Sequence, residues 1–329
     1  MVNALISGLW RLIKVVTILF LVMILIFVGL AIYVSKNPSS NPTGKAFNGE
    51  NSIPSASRLV DDLNRYRSSS GVSPVKENRL YSQAAQNHAD YLARTKTKYL
   101  IGKYANLHKE NPESPFHSKN GDTIGAGVIA WQYVQSISAV DSLMTAPFHA
   151  ISMLREHLKE VGVGSAKAED GSFSPGSIVT NIAVLNGLGN KGRTQVITFP
   201  GANSIVPLNS FEGENPEPRE ACGKNYQKFT GLPIFVSLLH NPSKEIEVKL
   251  TWRNGNVLTE GSQLCVVTEN NFISTDKIYG PAGKQIIRQE NLVLIIPKAK
   301  LSEGSYRVEI SEPGRAKLGW TFTYKVPSA

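Results

Sequence analysis

The apolar and polar positions along the chain fall into distinct regimes. From Val15 to Ser35 there is no charge, and Leu, Ile, Val and Phe dominate. About 21 helical residues at roughly 1.5 Å each reach ~31 Å, enough for a bilayer core. Arg11 and Lys14 precede this run, which predicts a cytoplasmic N-terminus and an exported remainder, although Lys36 and Lys45 lie on the far side. The competing reading is a cleaved signal peptide, whose apolar stretch ordinarily runs about 7–15 residues before a small-x-small site. Here the small pair Gly29-x-Ala31 lies inside the apolar run, which favours an uncleaved anchor. Residues 1–36 therefore read as tail and transmembrane anchor, and the Asn-, Pro- and Ser-rich residues 37–56 as a flexible linker.

A helical period follows. Ser57 is a candidate cap for a helix with Leu59, Leu63 and Tyr66 on one face, ending before Gly71. Asn78 is a candidate cap for a second, with Leu80, Ala84, His88 and Tyr91 or Leu92 on one stripe. Residues 103–127 lack periodicity and read as a long functional loop. A short helix over 138–145 precedes a second one opened by Pro147, whose preset φ suits a first helical turn; Met153, Leu154 and Leu158 continue its apolar face. Strand patterns then occupy 162–167, 178–185 and 194–199, the first entered through Val161-Gly-Val-Gly164, where glycine permits close backbone approach. Between the last two, Gly187-Leu-Gly189-Asn-Lys-Gly192 spells a dinucleotide fingerprint, but a strand pattern follows where a helix would be needed, so it reads as a hairpin loop.

Beyond a Pro/Gly/Asn-rich junction over 200–218 the period shortens to two. Strand patterns at 234–239, 246–252, 263–268, 292–296, 306–310 and 320–324 alternate with turn signals, among them Asn254-Gly255, Pro281-Ala-Gly283 and Pro313-Gly314. That spacing predicts an immunoglobulin-like sandwich over 200–329. The class is α+β: an N-terminal transmembrane helix, a mixed domain over 57–199, then an all-β domain.

Composition narrows the partners. The 329 residues are 41% hydrophobic, enough for a real core in two domains. A formal charge of +9 without a basic stripe or interleaved aromatics argues against nucleic acid and fits an anionic envelope surface. The only cysteines, Cys222 and Cys265, both fall in the second domain; they suit one disulfide in an exported chain, with two buried thiols as the alternative.

Candidate chemistry gathers in the middle of the chain. His108 and Glu110 lie in the long loop and His149 in the Pro147 helix. Imidazole and carboxylate are common zinc ligands, so the three suit a divalent metal or a polar cluster; solvated loop histidines are the plainer alternative. His88, on an apolar stripe, reads as a satisfied core histidine rather than a ligand.

The order Leu63-Asn-Arg-Tyr66-Arg67, Leu80…Ala84-Ala85…His88…Tyr91-Leu92, His108-x-Glu110, Pro147-Phe-His149 and Val161-Gly-Val-Gly164 resembles the CAP superfamily (cysteine-rich secretory, antigen 5 and pathogenesis-related proteins) in its bacterial branch. The resemblance implies an α-β-α sandwich around an antiparallel sheet. It also implies a cleft lined by two histidines and acidic residues, which in some members holds a divalent metal. His108 and His149 match the two cleft histidines, with Glu110 as the acidic partner. The usual Gly-Glu-Asn-Ile-type segment has its counterpart in Ile124-Gly-Ala-Gly-Val128, without a carboxylate. The junction and strands that follow also resemble the β-sandwich appended to some bacterial exported members.

These readings converge on a single-pass cell-membrane protein with its bulk extracytoplasmic: a non-catalytic binding module for an envelope or extracellular lipid, glycan or protein. One alternative is a divalent-metal-dependent hydrolase using His108, Glu110 and His149, with Asp122 or His117 as general base. The other is a structural envelope protein with a vestigial cleft.

Overall fold

The computed structural model describes residues 53–326, apart from 134–136, 191, 227–228, 253–254, 259 and 262. The expected anchor and nearly all of the linker lie outside the described residues. Among the described residues no helix is long and apolar enough to cross a membrane.

Helix α1 (Ala56–Ser69) starts at Ser55 rather than Ser57, because the Ser55 hydroxyl accepts the Arg58 amide at 3.3 Å. Its buried face carries Leu59, Leu63, Tyr66 and Arg67. After the two-residue strand β1 (Lys76–Glu77), Asn78 Oδ1 accepts the Leu80 and Tyr81 amides and opens α2 (Arg79–Arg94). Leu80 faces solvent, and the buried stripe is instead Ala84, Ala85, His88, Ala89 and Leu92. Close packing explains the choice. A Cβ at Gly162 or Gly164 would overlap the α2 backbone at Tyr81 or Gln86, so the helix lies directly on the strand through small residues.

Next come β2 (Val128–Gln132), α3 (Ala139–Thr145), α4 (Pro147–Leu154), β3 (Glu160–Lys167) and β4 (Ile178–Ala183). They form a four-stranded sheet in the order β1-β3-β4-β2, antiparallel except for the parallel pair β1–β3. The sequence pattern runs the Pro147 helix on to Leu158, but α4 stops at Leu154. The buried Arg67 guanidinium takes the carbonyls of Met153 (2.6 Å), Arg155 and Leu158 (both 3.1 Å), satisfying groups that the helix end leaves open. Burial pushes that guanidinium down to about 10.

The short strand β5 (Ile197–Phe199), which the sequence pattern groups with the first domain, pairs with the second half. It joins a four-stranded sheet, β12-β13-β9-β5, with β9 (Ile234–Ser237), β12 (Leu264–Val267) and β13 (Leu292–Pro297). The loop at 187–192 therefore links two sheets and is no hairpin; no helix follows it. A five-stranded sheet, β11-β10-β14-β15-β6, combines β6 (Ser204–Val206), β10 (Glu247–Trp252), β11 (Asn256–Leu258), β14 (Gly304–Ser311) and β15 (Leu318–Tyr324). Strands β7 (Ser210–Phe211) and β8 (Thr230–Gly231) pair separately.

The turn signal at Pro281 opens a helix, α5 (Gly280–Gln289), since proline is tolerated in a first helical turn. Strands β10, β14 and β15 bury alternate residues, whereas β9, β12 and β13 are buried throughout. One apolar cluster runs through the fully buried sheet, the five-stranded sheet, α4 and α5. Cys222 and Cys265 form a disulfide, 43 residues apart. Closing such a loop contributes roughly 4 kcal/mol on the chain-entropy account.

Candidate functional site

The long loop after α2 is held from beneath by a sealed pair. His88 lies on the buried stripe of α2, with Nδ1 2.9 Å from Glu110 Oε1 and Nε2 3.0 Å from the Leu107 carbonyl. Glu110 Oε2 accepts the Ser118 amide at 2.6 Å, and the Glu110 amide donates to Asp122 Oδ1 at 2.9 Å. Both side chains of the pair are fully buried. The Asn111 amide donates to the Tyr91 hydroxyl at 2.8 Å, fixing the next residue. The segment at Gly125 and Gly127 carries no side chains because none would fit. A Cβ at Gly125 would overlap the Ala84 carbonyl, and one at Gly127 the Ile182 carbonyl.

His108 sits at the edge of this platform, half-buried. Its ring meets Tyr279, the residue before α5, edge to face at 5.9 Å between centroids. The Tyr279 hydroxyl accepts the Leu107 amide at 2.7 Å and donates to the Ala105 carbonyl at 3.3 Å, so the second half of the chain grips the loop that carries His108. Burial first, then the neighbouring imidazoles His149 and His88, push His108 down to about 3, against a hydrogen bond with the Gly127 backbone. His108 is thus a neutral imidazole across the physiological range.

His149 comes from the first turn of α4. Its Nδ1 lies 2.7 Å from Glu214 Oε2, while Glu214 Oε1 accepts the Phe148 amide at 3.1 Å. Ala146, the capping position, offers no side-chain bond, so a carboxylate 66 residues further on caps this helix instead. The Glu214 side chain is 1% exposed and that of His149 16%. Burial pushes the Glu214 carboxyl up, and the hydrogen bond and charge of His149 oppose it. The second half also closes over α4. Phe148 meets Phe272 at 5.7 Å, and a Cβ at Gly283 would overlap Pro216. Arg155, just past the helix, pairs with the buried Glu290 at 2.7 Å.

The two histidines therefore come close enough to influence each other, but Glu110 is not their shared acid. Both of its oxygens are committed to His88 and Ser118, and Asp122 is engaged by the Glu110 amide. Among the described residues no group of three or more His, Cys, Asp or Glu side chains is placed to hold a metal ion. Of the expected His108–Glu110–His149 trio, Glu110 faces His88 and His149 faces Glu214. Sequence reasoning missed Glu214 and Tyr279. The available signal was a carboxylate in a stiff context, Glu212-Gly-Glu214-Asn-Pro216, where a solvated linker would place no constraint.

Residues 60–186 match the model of the cysteine-rich secretory protein family, CAP. The chain carries a CAP domain. The matched span holds His108 and His149, whereas Glu214 and Tyr279, which contact them, lie beyond it. No curated protein matches the chain. Among solved structures, the methionine-rich copper resistance protein PcoC from Escherichia coli is 18% identical, over 39% of this chain and 93% of that one, with a TM-score of 0.22. Its selenomethionine form is 17% identical, over 39% and 95%, with a TM-score of 0.20. Likeness at that level bears on neither the fold nor the chemistry of the CAP domain.

Proposed function

We propose that this chain is a membrane-anchored, extracytoplasmic binding protein whose CAP cleft recognises an envelope or extracellular lipid, glycan or protein without transforming it. An immunoglobulin-like second half supports and partly roofs the cleft. The observation that carries this reading is the seam itself. A neutral His108 packed against Tyr279 and a His149 held by Glu214 present fixed polar groups at a half-open edge, which suits recognition by hydrogen bonding. The uncharged Val15–Ser35 run supports the anchor, and a Cys222–Cys265 disulfide suits an oxidising compartment.

The test uses the full chain in detergent, titrated with lipid vesicles, purified envelope glycan and extracellular protein fractions. One of these should bind saturably, binding should weaken in His149→Ala and Glu214→Gln, and the ligand should be recovered unchanged. Recovery of a cleaved ligand would replace the reading with an enzymatic one. Absence of binding in all three arms would remove it.

A further inference from the structure

A cavity opens beside the five-stranded sheet. On β10, β14 and β15 the residues Trp252, Tyr306 and Phe322 stand directly opposite one another in register. Their rings form a ladder: Trp252 stacks on Tyr306 at 6.4 Å and Tyr306 on Phe322 at 5.2 Å. Phe322 is sealed in the core, whereas Trp252, at the other end, is only half-buried and lines a cavity of about 270 Å³ with Tyr306, Leu258, Pro297 and Leu301.

The opposite wall is the segment that leaves β13, and it is pinned. The Tyr306 hydroxyl accepts the Ser302 amide at 2.9 Å and donates to the Ser302 carbonyl at 2.8 Å. The Lys298 amide donates to the Gln263 carbonyl and the Leu301 amide to the Asn209 carbonyl. The cavity is therefore held open by the backbone and needs little ordering on binding.

Its chemistry is two-sided. The walls are aromatic and aliphatic, and Lys298, Lys300, Gln263 and Ser302 complete the lining. Among the described lining residues none is acidic. Lys300 Nζ lies 5.5 Å from the ring centroid of Phe229, which is 60% exposed and adds a second aromatic surface. A flat ligand with an apolar face, hydroxyl edges and a negative substituent matches all of these features. At about 270 Å³ the space lies just below the roughly 300–1,000 Å³ of sites for drug-sized ligands, which suits one ring and part of the next.

We infer that this cavity is a second binding site, for an acidic sugar residue of a glycan, with the ring lying on Trp252 and its anionic group between Lys298 and Lys300. The anion is a carboxylate or a phosphate. The inference does not depend on the CAP cleft.

Calorimetry on the full chain in detergent would use trigalacturonate, a trimannoside 6-phosphate and, as the neutral control, maltotriose. At least one charged probe should bind about tenfold or more tighter than maltotriose at low salt and lose that advantage as salt screens it. The probe that binds tighter identifies the anion. The surface pair Lys298→Gln/Lys300→Gln, which leaves the core untouched, should weaken the charged probe about tenfold and leave maltotriose unchanged. Trp252→Phe, which keeps a ring in the ladder, should retain more binding than Trp252→Ala. Failure of both charged probes to bind, maltotriose binding as tightly as either, or indifference to the double lysine substitution would each overturn the site.

Discussion

Two histidine–glutamate pairs of the same composition, His88–Glu110 and His149–Glu214, have different fates. In His88–Glu110 both side chains are fully buried; both ring nitrogens and both carboxylate oxygens have partners within the protein. In His149–Glu214 the carboxylate is just as saturated, but the imidazole keeps 16% exposure and is held through Nδ1. The first pair is a fastener for the long loop. The second is a presented group on a fixed mount. Residue type does not separate the two pairs; the valence left over after burial does.

The strongest way to break this contrast is to open the sealed pair. Glu110→Ala leaves His88 Nδ1 and the Ser118 amide without their acceptor in the interior, and should destabilise the protein by about 3 kcal/mol in urea unfolding. A loss below about 1 kcal/mol would mean that the pair is not the fastener described.

The second prediction concerns pH. His108 is lowered from 6.5 to about 3, so between those values the unfolded chain takes up a proton that the native state refuses. Stability must therefore fall as pH drops from about 6.5 towards 3, by ~2 kcal/mol for a ring that keeps some contact with solvent. Glu214, raised by burial, works in the opposite sense: its native state holds a proton longer, so acidification through its range favours the fold. His108→Asn should flatten the acid limb in unfolding measured at pH 7 and pH 4; an unchanged limb would refute the assignment.

Removing the mount is the third test. Glu214→Ala deletes the α4 cap and the His149 bond together and should cost about 1.5 kcal/mol, whereas His149→Ala, losing only the half-open partner, should cost less than half of that in thermal unfolding. Equal losses would place His149 with His88 among the fasteners. The smallest effect is expected from Tyr279→Phe. It removes the bonds to Leu107 and Ala105 but leaves the ring against His108, costing ~1 kcal/mol and speeding amide exchange at Leu107 in particular.

Much of the fold is legible in the sequence, because local period and local chemistry decide it. Pro147 starts its helix where the pattern puts it, Ser138 and Asn78 cap theirs, and the alternation of β10, β14 and β15 shows one buried face each. Local pattern fails where a distant partner sets the outcome. Leu80 stays outside the core while the α2 backbone at Tyr81 and Gln86 lies directly on Gly162 and Gly164, and α4 ends at Leu154 where Arg67 collects its carbonyls. Strand β5 belongs to the second half only through its pairing with β9, and Pro281 opens a helix where the same residues spell a turn.

The site divides along the same line. The sequence by itself determined that His108 and His149 were the imidazoles to watch and that His88 belonged to a core, since family order and helical spacing are properties of the chain. Which carboxylate each one meets was decided only in three dimensions. Glu110 is two residues from His108 yet closes on His88, and Glu214 reaches His149 from 65 residues away. A hydrogen bond is formed by whichever group the packed backbone delivers to within about 3 Å, and sequence distance places no limit on that delivery.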